Sequence, residues 1–299
     1  MKIVITGSLG NISKPLAQTL VEKGHTVTVI STKAERQKDI EAIGAKAAIG
    51  TMNDAGFLTT TLKGADVVYV MEALGYESFF DHSVDVMEAI KKIVTNFKQA
   101  IEQSGVKRVV HLSSIGAHTD KGNGILAFHH LAENILGQLP TDVSIKFMRP
   151  VGFYYNMFAF IPTIKTQGVI VSNYGGDEKE PWVSPMDIAA VIAEEMEKSF
   201  EGRTIRYIAS DEQSPNQIAA ILGNAIGKPD LKWQTISDDQ LLNGMIAAGM
   251  NPQTAKGFVE MNASRRGNVL YEDYFLHRPI LSSTKLKDFA KDFAASYNK

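Results

Sequence analysis

The chain has 299 residues, of which 44% are hydrophobic and 21% are charged, and its formal net charge is −2. This composition is ordinary for one large or two modest globular domains, and the small net charge predicts no general attraction to nucleic acid or to an anionic membrane. The chain contains no cysteine, which excludes disulfides, thiolate metal ligands and cysteine nucleophiles. Because we find neither a bilayer-length apolar run nor a signal peptide, we expect a cytoplasmic enzyme or binding protein.

The N-terminal stretch has the pattern of a phosphate-binding turn. An apolar run at residues 2–5 predicts a strand, and a one-sided apolar pattern at residues 12–21 predicts a helix. Between them, Gly7 would allow a sharp turn, Gly10 would let a pyrophosphate approach the backbone, and Ser13 would keep helix and strand close. The alternative is a glycine turn that binds nothing. The residues predicted to bind the phosphates are Thr6, Gly7, Ser8, Leu9, Gly10, Asn11 and Ile12.

Strand and helix patterns alternate over the following hundred residues. Alternation of this kind predicts parallel βαβ units with right-handed crossovers, and therefore an α/β fold with a doubly wound parallel sheet of the Rossmann type. Further strands are predicted at residues 25–30, 46–49, 66–71, 106–114 and 143–147, and helices at 34–43, 54–62, 82–103 and from about 126.

The end of the second predicted strand informs the choice of cofactor. An NAD site places an acid there to bind the adenosine ribose hydroxyls. This chain has Ser31, Thr32 and Lys33 instead, and the first acid is Glu35. Two hydroxyls and a cation suit a 2′-phosphate, so NADP(H) is favoured and NAD(H) stays possible. The alternative for Lys33 is an ordinary solvated loop lysine.

Candidate catalytic groups follow the fifth predicted strand. Ser113 ends this strand, at the sheet edge where ligands of such folds bind. On the next helix His129 and Glu133 are one turn apart and face the same way, while His130 and Asn134 are predicted to point to solvent. His129 could donate a proton and Glu133 could accept bonds from ribose hydroxyls. The alternatives are an exposed helix pair without a catalytic role and a serine that bonds only to backbone.

Three blocks of sequence carry a family resemblance. They are Thr6-Gly7-x-x-Gly10-Asn11-Ile12, Arg149-Pro150-x-x-Phe153-x-x-Asn156, and Trp182-Val183-Ser184-Pro185-Met186-Asp187-Ile188-Ala189. With these blocks the chain resembles NmrA-like members of the atypical short-chain dehydrogenase/reductase superfamily. The resemblance implies an NAD(P)-binding Rossmann domain at residues 1–152, to which about 182–210 contribute. Residues 153–299 would hold a substrate-side segment and a smaller, mainly helical C-terminal domain.

The resemblance also implies a function. Relatives include quinone, azo and flavin reductases, so an NAD(P)H-dependent oxidoreductase acting on a small conjugated acceptor is expected. A redox-sensing regulator without turnover, or an epimerase or isomerase, are the alternatives. The Tyr-x-x-x-Lys pair of the superfamily falls at His129 and Glu133, and its usual acid after the third strand falls at Thr51. Further residues expected along the cofactor are Thr51, Met52, Met71, Glu72, Ala73, Pro150, Val151 and Phe153.

An aromatic run follows the Arg149-Pro150 block. It could line a flat apolar pocket for a small-molecule substrate, or it could be a core and domain-joining segment. The candidate substrate residues are Tyr154, Tyr155, Asn156 and Phe158. The oligomeric state is left open.

The remaining patterns predict architecture. Ser214 and Ser237 begin helices with capping boxes, and the same form at residues 184–187 gives Asp187 a structural role. Thr284 is expected to cap the last helix. His111 is expected to be a core or edge residue, and no histidine spacing suggests a metal site, so no metal is expected.

Overall fold

A parallel sheet of seven strands forms the centre of the computed structural model, which describes residues 1–299. The predicted α/β fold of the Rossmann type is confirmed, because every strand pair of this sheet is parallel. The strands are β1 (Lys2–Ile5), β2 (Thr26–Ser31), β3 (Lys46–Ile49), β4 (Val67–Val70), β5 (Arg108–Leu112), β6 (Ser144–Pro150), β7 (Gly152–Phe153), β8 (Val169–Ser172), β9 (Glu180–Val183), β10 (Arg203–Ile208), β11 (Asp211–Gln213) and β12 (Lys232–Thr235).

The strand order of the large sheet creates a crevice. The order is β10-β6-β5-β4-β1-β2-β3, so the direction of winding reverses between β1 and β4. In doubly wound sheets ligands bind outside the carboxyl ends of the strands at such a reversal. The glycine turn that follows β1 lies at this position. The two small sheets have the orders β11-β9-β7 and β12-β8.

Twelve α-helices accompany the strands, with short 3₁₀ segments between them. The first five alternate with the strands of the large sheet, as the sequence predicts, and the seventh precedes β10 of the same sheet. They are α1 (Ser13–Glu22), α2 (Gln37–Ala42), α3 (Ala55–Leu62), α4 (Val86–Ser104), α5 (Ala127–Gly137), α6 (Ile161–Gln167), α7 (Pro185–Glu197), α8 (Pro215–Ala225), α9 (Asp238–Ala247), α10 (Pro252–Ala263), α11 (Glu272–Leu276) and α12 (Leu286–Tyr297).

The two faces of the large sheet carry separate hydrophobic cores. Ile3 and Ile5 of β1 join one core with side chains of α1 and α7, and Val4 between them joins the other with α3, α4 and α5. Successive strand side chains point to opposite faces, so a strand buried on both sides must be apolar throughout. This requirement explains why residues 3–5 of β1 and the whole of β4 are apolar.

A third core lies among the C-terminal helices. It joins Tyr154 and Met157 to Trp182, and to apolar faces of α8 and α12. The strand β10 returns to the large sheet and pairs with β6. The division of the chain at residue 152 stays a prediction. No helix is long and apolar enough to cross a membrane.

Some local expectations are corrected by long-range contacts. The hydroxyl and backbone N–H of Thr284 donate to Asp187 at 3.0 and 3.1 Å, so Thr284 does not cap α12. Asp187 has a structural role, but not through a capping box. Its carboxylate accepts hydrogen bonds from Thr284 and Ser210 instead. His130 bonds through Nδ1 to the carbonyl of Ala117 at 2.9 Å and is half-buried, so its predicted solvent orientation is wrong. The capping boxes at Ser214 and Ser237 are present.

Candidate functional site

The glycine turn after β1 has the backbone that the sequence requires. Gly7 has a φ of 88°, a region that favours glycine, and Ser8 follows with a φ of 54°. A Cβ on Gly7 would lie 2.5 Å from Ser13 Oγ and 2.6 Å from Met71 Sδ. Ser13 is buried and donates from Oγ to the carbonyl of Thr6 at 3.0 Å, which ties the start of α1 to the end of β1. The turn therefore admits no side chain at Gly7.

The turn presents free backbone donors to the crevice. Gly10 N–H donates to the carbonyl of Gly7 at 3.2 Å, but the backbone N–H groups of Leu9, Asn11, Ile12 and Ser13 donate to no backbone carbonyl. These donors lie at the N-terminus of α1, where the helix dipole adds positive potential. Such a set of N–H groups fits the phosphates of a dinucleotide.

The end of β2 offers hydroxyls and a cation to a ligand. Ser31 is buried and its Oγ accepts bonds from Ser8 Oγ at 2.9 Å and from the backbone N–H of Lys33 at 3.2 Å. Thr32 and Lys33 are exposed, and Lys33 forms no ion pair. No acid occupies this strand end. The arrangement can accept a 2′-phosphate, as the sequence suggests.

The other predicted cofactor residues lie at neighbouring strand ends. Thr51 and Ala73 are exposed, and Met52 is half-buried with its carbonyl accepting a bond from Asn96 Nδ2 at 3.0 Å. Met71 donates its backbone N–H to Thr6 Oγ1 at 2.8 Å, which joins the ends of β1 and β4. Pro150 at the end of β6 and Val151 after it are buried, and Phe153 on β7 packs at the margin of the first core.

Glu72 behaves differently from the other predicted cofactor residues. Its side chain is wholly buried and accepts a bond from His111 Nε2, with Oε1 at 2.9 Å. Burial acts to raise the pKa of Glu72, but the stronger effect of protonated His111 lowers that pKa. Burial acts to lower the pKa of His111, but the stronger effect of the Glu72 carboxylate raises that pKa. His111 is a core residue, as predicted, with a charged partner. The Glu72 carboxylate is therefore unavailable to a cofactor.

Glu133 is held by two residues of the sheet. Its Oε1 accepts from Ser113 Oγ at 2.5 Å and from Arg149 Nε at 2.9 Å, and its Oε2 accepts from Arg149 Nη2 at 2.7 Å. Only 10% of the Glu133 side chain and 5% of the Arg149 side chain are exposed. Both expectations for Glu133, an acceptor of ribose hydroxyls and an exposed helix partner of His129, are corrected. The bidentate ion pair with Arg149 of β6 engages both carboxylate oxygens of Glu133.

Arg149 extends this network toward the C-terminal part of the chain. Its Nη1 donates to Tyr207 Oη at 3.2 Å and to Asp273 Oδ2 at 3.0 Å. Burial would lower the pKa of Arg149, but the Glu133 carboxylate outweighs it and raises that pKa, so the guanidinium stays charged. Arg149, Tyr207 and Asp273 also line a cavity of about 510 Å³ that the glycine turn does not reach.

His129 lies beside these groups without joining them. Its Nδ1 is buried without a hydrogen-bond partner, and its ring lies 3.9 Å from that of Phe128. Burial lowers the pKa of His129 to about 3, which the nearby Glu72 carboxylate only partly opposes. The imidazole is therefore neutral near pH 7. It cannot act there as a cationic proton donor.

The aromatic run after β6 is mainly core. Tyr154 is fully buried, donates from Oη to the carbonyl of Thr284 at 3.2 Å and stacks on Phe289 at 5.4 Å. Phe158 stacks on Phe293 of α12 at 6.1 Å. Tyr154 therefore cannot line a substrate pocket, because the third core encloses its ring. Asn156 is exposed, and Tyr155 and Phe158 are half-buried, so of the candidate substrate residues Asn156 keeps the most accessible surface.

Sequence reasoning missed the central role of Arg149 and the segment at residues 75–81. Arg149 stood in the sequence only as part of a motif, and nothing local indicates that it pairs with a glutamate sixteen residues earlier. The aromatic residues of the 75–81 segment were a visible signal, since Tyr76, Phe79 and Phe80 directly follow residues expected along the cofactor.

Comparison with known proteins identifies similar chains. The model of the NmrA-like family matches residues 1–275. The NAD(P)H azoreductase of Xenophilus azovorans is 24% identical over 262 residues, which cover 87% of this chain and 86% of the azoreductase. A Streptomyces griseus (4-alkanoyl-5-oxo-2,5-dihydrofuran-3-yl)methyl phosphate reductase is also 24% identical, with 88% of this chain and 87% of that protein covered.

Solved structures share the fold along almost the whole chain. The Escherichia coli NADPH-dependent quinone oxidoreductase QOR2, complexed with NADPH, has a TM-score of 0.75 at 19% identity and covers 97% of this chain and 99% of its own. The Citrobacter triphenylmethane reductase, complexed with NADP(H), has a TM-score of 0.74 at 20% identity, with 98% and 99% covered. At this identity the likeness concerns the fold alone.

Proposed function

The chain belongs to the NmrA-like family, and we propose that it is an NAD(P)H-dependent oxidoreductase that reduces a small conjugated acceptor such as a quinone, a flavin or an azo compound. The observation that carries this proposal is the set of four backbone N–H groups without backbone acceptors at the start of α1, in the crevice where the sheet reverses. The relatives named as azoreductase and quinone oxidoreductase support the class of acceptor.

The chemistry of the site suits this class of reaction. Bound NADPH would supply the hydride, and the turn from Thr6 to Ser13 would hold its phosphates. His129 is neutral near pH 7 and Glu133 is paired with Arg149, so the chain offers no strong acid or base at this edge. A conjugated acceptor needs little beyond a hydride donor held at the right distance and angle. Its proton can come from water.

The cofactor is proposed to be NADP(H), with NAD(H) as the alternative. Support comes from Ser31, Thr32 and Lys33 at the end of β2, where no acid is available to bind a free ribose 2′-hydroxyl. Two fold neighbours are described as complexes with NADPH or NADP(H). The proposed partner is therefore a small-molecule substrate, and neither a metal nor a nucleic acid enters the scheme.

The alternatives differ in what they require. An epimerase or isomerase needs a base, and here the Glu133 carboxylate is occupied and burial makes His129 a weak base. A redox-sensing regulator needs only differential binding of oxidised and reduced cofactor. It has the same requirement for the glycine turn, so turnover decides between it and the reductase.

Steady-state assays with NADPH and a panel of quinones, flavins and azo compounds test the proposal. We expect oxidation of NADPH that depends on the acceptor, together with NADPH binding measured by calorimetry. Tight cofactor binding with no turnover of any acceptor, and with unequal affinities for NADP⁺ and NADPH, would favour the regulator instead. Absence of cofactor binding would contradict both.

A further inference from the structure

The segment after β4 lies at the reversal of the sheet. In the strand order β4 is between β1, which ends at the glycine turn, and β5, which ends before Ser113. Residues 75–81, which we call the aromatic strap, therefore leave the sheet between the predicted phosphate site and the Ser113–Glu133 pair. The strap holds Tyr76, Phe79 and Phe80, three aromatic residues in a row of five.

The strap is packed at one side of the crevice. The rings of Tyr76 and Phe80 are 5.0 Å apart, and those of Tyr76 and Phe79 are 6.4 Å apart. Phe79 also meets Phe258 of α10 edge to face at 5.8 Å. Phe79 packs against the same core as Phe128, whose ring lies against His129. The strap is thus held between the α5 side of the sheet and α10.

Asn251 fixes the strap to the C-terminal helices. Its backbone N–H donates to the carbonyl of Phe79 at 2.9 Å, and its Nδ2 donates to the carbonyl of Asp81 at 3.1 Å. Its Oδ1 accepts from the backbone N–H of Gln253 at 2.9 Å and caps α10. One buried residue therefore sets both the start of α10 and the position of the strap.

Tyr76 is the accessible member of the strap. Its side chain is 72% exposed, whereas Phe79 and Phe80 are half-buried beneath it. Phe275 on α11, at 38%, is the other exposed aromatic residue of the chain. A tyrosine ring that is supported by a second ring and open on its outer side is suited to offset stacking on a flat conjugated molecule.

We propose that the aromatic strap, through the ring of Tyr76, binds the flat face of the conjugated acceptor. This rests on the proposed reductase function. It replaces the buried Tyr154 by Tyr76 as the substrate-stacking residue. The strap is continuous with the residues expected along the cofactor, so an acceptor stacked on Tyr76 stays at the crevice.

Binding measurements test the strap without requiring turnover. The protein is saturated with NADP⁺ and titrated with 1,4-naphthoquinone in a calorimeter; the chain has no cysteine that the quinone could modify. We expect Tyr76→Ala to weaken quinone binding by about threefold to tenfold, the loss typical of one stacking contact. Tyr76→Phe keeps the ring and is expected to bind as the wild type does. Phe275→Ala is the matched control, because Phe275 is an exposed aromatic residue outside the strap. This variant is expected to leave quinone binding unchanged.

The outcomes separate the two proposals. If the wild type binds NADP⁺ and naphthoquinone but Tyr76→Ala binds both equally well, the strap proposal is wrong and the reductase proposal stands. The strap proposal is also wrong if the NADP⁺-loaded wild type does not bind naphthoquinone. Failure of the wild type to bind either NADP⁺ or NAD⁺ overturns the reductase proposal, and the strap proposal with it.

A second pair of variants tests the anchor. Asn251→Ala and Ser237→Ala each remove one helix N-cap, so they share the cost of a lost cap, but only Asn251 touches the strap. We expect faster amide hydrogen exchange at residues 75–81 and weaker naphthoquinone binding in Asn251→Ala alone. Equal effects in both variants would mean that the strap does not depend on Asn251.

Discussion

Glu133 and Lys33 are two charged residues at the candidate site with opposite surroundings. Glu133 accepts three hydrogen bonds from Ser113 and Arg149 and is almost wholly buried. Lys33 is exposed and has no ionic partner within the chain. A carboxylate that is already satisfied offers little to a ligand, whereas a free ammonium can still pair with a phosphate. At the scale of single residues, we therefore propose that cofactor choice depends on Lys33, a side chain that the fold itself does not use.

Replacing Lys33 tests the preference for NADP(H). We expect Lys33→Met to weaken NADPH binding about tenfold, because a charge-assisted bond to the 2′-phosphate is lost, and to leave NADH binding unchanged. Calorimetry with both cofactors measures this. Lys38→Met, at an exposed lysine on α2 beyond the strand end, is the control for a general change of charge. An equal loss of affinity for NADPH and NADH would show that Lys33 does not bind the 2′-phosphate.

At the scale of elements, the glycine turn between β1 and α1 is more constrained than the glycine turn that ends α1. Gly7 and Gly24 have nearly the same φ, 88° and 83°. A Cβ on Gly7 would collide with Ser13 and Met71, while a Cβ on Gly24 would meet no atom within 4 Å. Gly24 only ends a helix, as the sequence predicts. Gly7 sets the distance between strand, helix and the end of β4.

This contrast gives a matched pair of variants. We expect Gly7→Ala and Gly24→Ala each to lower the free energy of unfolding by about 1 kcal/mol or more, because alanine is strained at positive φ. Only Gly7→Ala is expected to abolish NADPH binding, since its Cβ displaces the chain that carries the free N–H groups. Urea unfolding and calorimetry on the same samples provide both values. Retained NADPH affinity in Gly7→Ala would contradict the placement of the phosphates.

At the scale of the whole molecule, one buried network joins distant parts of the chain. Ser113 follows β5, Glu133 is on α5, Arg149 is on β6, Tyr207 is on β10 and Asp273 is on α11, and hydrogen bonds connect them in turn. The network thus ties the carboxyl edge of the sheet to the C-terminal segment. A buried pair of this kind adds modest net stability, but removing one partner leaves an unpaired buried charge.

Breaking this network has a predictable cost. We expect Arg149→Met to lower the free energy of unfolding by about 3–5 kcal/mol, because Glu133 would remain buried without its partner. The double variant Arg149→Met, Glu133→Gln is expected to recover part of the loss. Lys98→Met, which removes a partly exposed helix pair with Glu102, is the control and is expected to cost less than about 1 kcal/mol. A loss as small as that of the control would contradict the proposed role of Arg149.

The features that the sequence by itself determined depend on residues close together in the chain. The strand, glycine turn and helix from residue 2 to residue 22, the order of alternating elements and the caps at Ser214 and Ser237 all follow from local spacing. Backbone preference, side-chain periodicity and capping act over a few residues, so one sequence is enough to detect them. The family blocks added the cofactor class for the same reason, because each is a short continuous motif.

Only the tertiary structure decided which polar and aromatic groups stay free. Three candidates for contact with a ligand are instead bound by residues far away in sequence. Glu133 pairs with Arg149, Glu72 pairs with His111, and Tyr154 stacks on Phe289. Whether a side chain meets water, a ligand or a buried partner depends on the packing of all elements together, which local patterns do not specify. The glycine turn of the proposed phosphate site was therefore visible in the sequence, whereas the exposure of Tyr76 above Phe79 and Phe80 could be seen only in the folded chain.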